Sequence, residues 1–213
     1  MGRVLIDQAK KESVRTRLLE AALTSIRRKG YSATTVDELC GIAGVTKGGF
    51  FHHFKSKEAL GVAAADYWSE TTGDLFAHAP YHDLEDPLER ILAYIDFRSD
   101  LIDGPIEEFT CLVGTMVQEV YGSSDAIRTA CDASISGHAA TLEADIEAAM
   151  QMYGRTKGVS AQSLALHTQA VLQGGFILTK AKGGPELAKD SAAHLKRYIT
   201  LLFKVEVRDK GQS

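Results

Sequence analysis

The sequence predicts an all-α protein, with a small three-helix unit at its N-terminus followed by a larger helical body and about nine helices in total. Three observations predict this. Apolar residues recur at three- and four-residue intervals in nearly every segment. No segment has the period-two alternation of a half-buried strand. Glycine and proline fall where the periodic runs stop, at Gly30, Gly44, Gly104-Pro105, Gly122, Gly154, Gly158 and Gly183-Gly184-Pro185.

The first helix is expected from about Lys11 to Lys29. Val14, Leu18, Ala21, Ala22 and Ile26 form its apolar stripe, and Gly30 stops it after the basic turn Arg27-Arg28-Lys29. Thr34 or Thr35 then caps the short helix VDELCGIA, and Thr35 with Glu38 three residues on reads as a capping box. Gly44-Val45 makes a tight turn, and Thr46 is placed to cap a second short helix, KGGFFHHF. Ser56 opens a long helix to about Phe76. Residues 77–86 read as a linker, and Pro87 suits the first position of a helix reaching about Leu101. Further helices are expected at about 107–121, 124–153, 160–182 and 185–204. This organisation gives a first domain at 1–57, a second at 58–205 and a disordered tail at 206–213.

Composition narrows the class. No apolar run approaches the roughly 18 residues a membrane helix needs, and the N-terminus lacks a signal core, so a cytoplasmic protein without membrane association is expected. Cys40, Cys111 and Cys131 are too few and too widely spaced for a disulfide framework or a zinc site. Neither a metal nor another cofactor is expected. The net charge of −4 conceals an asymmetry. Residues 1–57 hold 11 Lys and Arg against 5 Asp and Glu, and the remainder holds 13 against 23. A basic head on an acidic body points the head towards a polyanion.

The segment TVDELCGIAGVTKGGFFHHFKSKEAL, residues 35–60, is the informative one. It reads as two short helices around the Gly44 turn. Leu39, Ile42, Val45, Phe50 and Phe54 are spaced to lock them together and to the first helix. That is a helix-turn-helix, whose second helix enters a major groove. Gly48 and Gly49 near the start of that helix each cost it about 1 kcal/mol, which makes sense if the backbone must approach DNA closely. His52 and His53 are adjacent, so they point about 100° apart and do not form a metal site. His53 reads as a packing or capping residue and Lys55 as a surface charge.

This segment resembles the DNA-binding domain of the TetR family of transcriptional regulators. The stretch IAGVTKGGFFHHFKSKEAL is similar to the family signature almost position by position, and the resemblance covers residues 13–60. In the body it is looser, carried by TCLVGTMVQEV and LQGGFILTKAKGG. The resemblance implies a dimer on double-stranded DNA with a palindromic operator. It further implies that Thr35, Thr46, Lys47, Gly48, Gly49, Phe51, His52 and Lys57 would contact the DNA. Phe51 and His52 stand where family members often have tyrosines, and Gly49 replaces a side chain that often helps to read a base.

The resemblance also implies that the last two helices form a homodimer bundle, with Gly174 and Gly175 allowing close approach. Leu164, Thr168, Val171, Leu172, Gly175, Phe176 and Thr179 form one apolar stripe there. Ala192, Leu195, Ile199, Leu202 and Phe203 form another. The middle helices would enclose a pocket for an unknown small-molecule effector, lined by Trp68, Phe97, Phe109, Cys111, Met116, His138 and Phe176, with Phe76 and Met150 as further candidates. Such a lining suits an apolar or aromatic effector, and the expected function is a ligand-released repressor. Two alternatives stand beside it. One is a thiol-based electrophile or redox sensor using Cys111, and the other a constitutive DNA binder without effector. No phosphate loop, nucleophile elbow or HExxH pair is present, so an enzyme is not expected.

Overall fold

A computed structural model describes residues 13–154 and 158–209, with side chains to Phe203. Its elements are α1 (Val14–Lys29), α2 (Val36–Ala43), α3 (Lys47–His53), α4 (Lys57–Ala77), a 3-10 turn (Pro80–Asp83), α5 (Pro87–Asp100), α6 (Ile106–Phe109), α7 (Leu112–Val120), α8 (Asp125–Ala140), α9 (Glu143–Tyr153), α10 (Ala161–Lys182) and α11 (Glu186–Asp209). No strand occurs among the described residues.

Two of the expected helices are divided. Residues 107–121 break at Thr110, whose extended backbone (φ −81°, ψ 156°) closes α6 before Cys111 caps α7. Residues 124–153 break at Thr141-Leu142, where the Thr141 hydroxyl donates to the His138 carbonyl at 2.8 Å. The expected linker at 77–86 is a packed connector. Tyr81 within it is buried and donates to the Phe76 carbonyl at 3.1 Å, and Arg90 donates to the carbonyls of Leu84 and Glu85. Asp86 then caps α5 by accepting from the Leu88 and Glu89 amides. Helix α11 continues to Asp209, beyond the expected end near 204. Of the tail expected to be disordered, 206–209 continue this helix and 210–213 lie outside the described residues, as does Lys11, the expected start of the first helix.

The first core joins head to body. Leu18, Leu19, Ile26, Leu39, Phe50 and Leu60 pack in one cluster with Leu112, Met116 and Ile127 of α7 and α8. It runs without interruption past residue 57, so a displacement of α4, α7 or α8 must be felt by the three N-terminal helices. A second core, containing Phe76, Ile91, Tyr94, Ile146, Leu172, Ile199 and Phe203, holds α5, α9, α10 and α11 together.

Gly175 belongs to this intrachain packing. A Cβ there would lie 3.2 Å from Ala188 Cα and 3.4 Å from Ser191 Cβ, so its missing side chain lets α10 and α11 of one chain approach. The stripe from Leu164 to Thr179 is likewise largely internal, with Leu164, Thr168, Leu172, Phe176 and Thr179 all buried. The apolar residues left exposed on these helices are different ones. Leu166, Ala170 and Ile177 follow one face of α10, and Tyr198 and Leu201 follow one face of α11. A Cβ added at Gly174 would meet nothing within 4 Å, so no contact inside the chain requires glycine there.

Candidate nucleic-acid interface and interior cavity

The head is set by side-chain caps at each helix start. Ser13 accepts from the Thr16 amide, Thr35 from Glu38, Thr46 from Gly49 and Ser56 from Ala59. Each satisfies an amide that the first helical turn leaves without a partner. Between α2 and α3 the chain reverses at Gly44 in the left-handed conformation (φ 62°, ψ 43°), which glycine adopts without a Cβ clash. Phe50 and Phe54 are buried and lie 5.9 Å apart between ring centres, fixing α3 to the core. Glu38 ties α2 to α1. It accepts from Ser25 at 3.1 Å and pairs with Arg28 and Lys29, and Lys29 holds its carboxyl below the usual range.

These constraints leave one face of α2 and α3 in solvent. Thr35, Thr46, Lys47, Gly48, Phe51 and His52 are exposed on it, and Gly49 is half-buried. Phe51 is 54% exposed, although it is a large aromatic beside the core residue Phe50. A Cβ at Gly48 would meet nothing closer than 3.8 Å, and one at Gly49 nothing closer than 3.5 Å. Packing inside the chain therefore does not require glycine at either place. Ile42, expected in the core, is 52% exposed, and Leu39, Cys40 and Ala43 form the buried side of α2 instead. His53 is exposed as well, with its ring edge-on to His52 rather than packed in the core.

Two of the cations are engaged. Lys47 pairs with Asp37 across the turn at 2.8 Å, and that carboxylate raises its pKa. Lys57, half-buried at the start of α4, donates to the Ser32 carbonyl at 3.3 Å and lies 4.4 Å over the Tyr31 ring; burial lowers its pKa. The loop it touches is also held from the body. Glu119 of α7 accepts from the amides of Tyr31 at 3.0 Å and Ser32 at 2.7 Å.

Within the body lies a cavity of about 480 Å³. Trp68, Phe109, Cys111, His138 and Phe176 line it, with Phe76. Phe97, Met116 and Met150 do not. Met116 is fully buried in the first core, Met150 is buried in the second, and Phe97 packs edge-on against Phe76. The lining is also more polar than the sequence suggests. Arg27 of α1 reaches it, donating from Nε to the Leu23 carbonyl at 3.0 Å and from Nη1 to the Glu108 carbonyl at 3.1 Å, with its guanidinium over Trp68. Arg98, Glu108, Gln169 and Gln173 line it too. In the sequence Arg27 reads only as one of three cations closing α1, and no motif or spacing singles out Arg98.

Beside the cavity a polar relay is buried. Gln169 donates to the Tyr94 hydroxyl at 3.1 Å, and that hydroxyl lies 2.9 Å from His138 Nε2. Burial, and then the Arg98 charge, push the His138 pKa down to about 4. The imidazole is therefore neutral near pH 7. Of the three thiols, Cys40 and Cys131 are buried and burial raises both, Cys131 to about 12. Cys111 is only partly buried, at the cap of α7 with its Sγ accepting from the Gly114 amide at 3.4 Å.

The comparison with known proteins decides between regulator and any other helical protein. Residues 18–64 match the family described as bacterial regulatory proteins, tetR family, and residues 87–195 match the tetracyclin repressor-like C-terminal domain. The chain belongs to the TetR family. That family is one of DNA-binding transcriptional regulators and not of enzymes. It is 31% identical to the transcriptional repressor DhaR of Mycobacterium sp. over 54% of this chain and 57% of DhaR, so the chain spans about half the length of that relative. It is 26% identical to the repressor NemR of Escherichia coli over 81% of this chain and 86% of NemR. The fold follows that of a solved structure of E. coli NemR in its reduced form, with TM-score 0.73, 25% identity and coverage of 87% and 96% of the two chains. A TetR-family regulator from Agrobacterium tumefaciens superposes with TM-score 0.76 at 19% identity, over 87% of this chain and 96% of that one. No helix among the described residues is long and apolar enough to cross a membrane.

Proposed function

We propose that this TetR-family regulator is a dimeric repressor that reads a palindromic operator and is released from it by a small molecule bound in the interior cavity. The observation that carries this reading is the position of Arg27. It belongs to α1, whose other side chains anchor the recognition helix, yet it forms part of the cavity wall beside Trp68 of α4. A ligand in the cavity thus touches the head and the body at once.

The proposed DNA contacts are the exposed residues of the α2–α3 face. Thr35, with the first amides of α2, and Lys57 serve phosphates. Lys47 reaches a phosphate or base edge once it leaves Asp37. Gly48 and Gly49 admit the DNA backbone, and Thr46, Phe51 and His52 complete the surface. Two heads at fixed spacing are needed for two half-sites. The exposed strip of Leu166, Ala170, Ile177, Tyr198 and Leu201 on α10 and α11 is the surface proposed to join two copies. The experiment is a thermal-shift screen of metabolites followed by DNA-release assays. A ligand that binds the DNA-incompetent form more tightly raises the unfolding temperature and weakens DNA binding together. If no ligand does both, the chain is a constitutive binder.

A second reading is favoured by Cys111. It is the thiol that faces the cavity, and it lies within electrostatic reach of Arg27 and Lys180. In this reading an electrophile or oxidant modifies Cys111 and releases the DNA. Equal release from wild type and Cys111→Ser would rule it out.

A further inference from the structure

We infer that the cavity is built for a monoanionic ligand, a carboxylate on an apolar or aromatic body, with Arg98 as the anchor of the acid group. The inference deepens the proposed effector site and rests on that reading. It starts from an imbalance of charges. Arg98 lines the cavity and forms no salt bridge among the described residues. Its contacts are the Phe76 ring, 5.2 Å from its guanidinium carbon, and His138 Nε2, 3.3 Å from Nη1. Both are uncharged. The half-buried guanidinium retains most of its five donors for another partner.

The other cation of the cavity is already served. Arg27 donates to two carbonyls, stacks on Trp68 and lies in the field of Glu20, Glu107 and Glu108. Glu108, the carboxylate in the lining, therefore belongs to the Arg27 side. Asp96, two residues before Arg98, is paired with Lys196.

The relay beside Arg98 takes up one of its donors. Arg98 Nη1 and the Tyr94 hydroxyl both approach His138 Nε2. Arg98 has only protons to offer, and the Tyr94 oxygen already accepts from Gln169. Nε2 is thus the acceptor, and the proton of the neutral ring is on Nδ1. The unpaired guanidinium on the cavity wall calls for an acceptor-rich ligand group. The planar carboxylate matches the guanidinium fork. A dianion such as a phosphate monoester would leave a second charge unpaired by any further free cation in the lining, which is costly in a partly enclosed site. Trp68, Phe109, Val113 and Phe176 are among the apolar residues of the lining, which suits a hydrocarbon or aromatic body.

The test uses matched pairs that differ only in charge: cinnamate with cinnamamide, and hexanoate with hexanamide. Calorimetry on the full chain is expected to give at least one acid binding about tenfold or more tightly than its amide, the scale of one charge-assisted hydrogen bond. In Arg98→Gln that preference should vanish, and in Arg98→Lys it should persist in reduced form. Circular dichroism checks that both variants fold. Equal binding of acid and amide, binding of neither, or an unchanged preference in Arg98→Gln would each overturn the inference. DNA release, measured in parallel, keeps the two proposals apart. If an amide releases DNA as well as its acid, the anion inference falls and the effector reading stands. If acids bind through Arg98 without weakening DNA binding, the reverse holds.

Discussion

The Arg27 guanidinium lies 5.1 Å above the centre of the Trp68 indole, so a side chain of the DNA-binding head stacks on one of the body inside the cavity wall. A partly desolvated cation over tryptophan is worth roughly 0.5–2 kcal/mol. Arg27→Met and Trp68→Leu, combined in a double-mutant cycle followed by urea unfolding, should give a coupling of about 0.5–1 kcal/mol. Additive effects would mean that the two residues are neighbours without interaction.

Gly175 provides a test of what holds α10 to α11. With Ala188 Cα only 3.2 Å from a Cβ position, Gly175→Leu must separate the helices of its own chain. The expected cost is about 1–3 kcal/mol, typical of overpacking. Ile177→Asp and Leu201→Asp place charges on the exposed strip instead. They should yield folded monomers, seen by sedimentation velocity. A folded Gly175→Leu monomer of wild-type stability, or fully dimeric Ile177→Asp and Leu201→Asp variants, would contradict this division of faces.

His138 gives a pH dependence with a definite sign. Its folded pKa is pushed down to about 4, whereas an unfolded histidine titrates near ~6.5. Between these values the unfolded chain takes up a proton that the native one refuses. This contribution to stability is therefore fully present above about pH 6.5 and declines as pH falls towards 4, by about 2 kcal/mol at pH 5. His138→Gln removes the titration and keeps an acceptor for Tyr94. Its loss of stability between pH 7.5 and pH 5 should be smaller than that of wild type by about this amount. Parallel losses in the two proteins would show that His138 is not the group responsible.

Much of the head is legible in the sequence because its determinants are short-range. Thr35 with Glu38, Thr46 with Gly49 and the Gly44 turn are caps and reversals written within four residues. The cavity depends on pairs far apart in the chain, and that is where spacing alone fails. Arg27 reads as a helix-terminal cation until α4 and α6 bring Trp68 and Glu108 to it. Phe97 and Met116 have the apolar character expected of a lining, but the packing of α5 and α7 turns them into the cores. Ile42 follows Leu39 at helical spacing, yet Leu39, Cys40 and Ala43 take the buried side of α2 and leave it exposed. Gly175 suits a close helix contact, and only the path of α11 reveals that the contact is internal.

Lys47 tests the account most directly. Its pair with Asp37 is exposed and adds little to stability, so Lys47→Ala should fold with an unfolding temperature close to that of wild type. On a palindromic duplex selected from random DNA, wild-type affinity should fall steeply as salt rises from about 50 to 200 mM, as counterion release requires. Lys47→Ala should bind more weakly and flatten the slope of log affinity against log salt by about 1. An affinity independent of salt in wild type, or a slope unchanged by Lys47→Ala, would contradict the claim that the α2–α3 face is the DNA-binding surface.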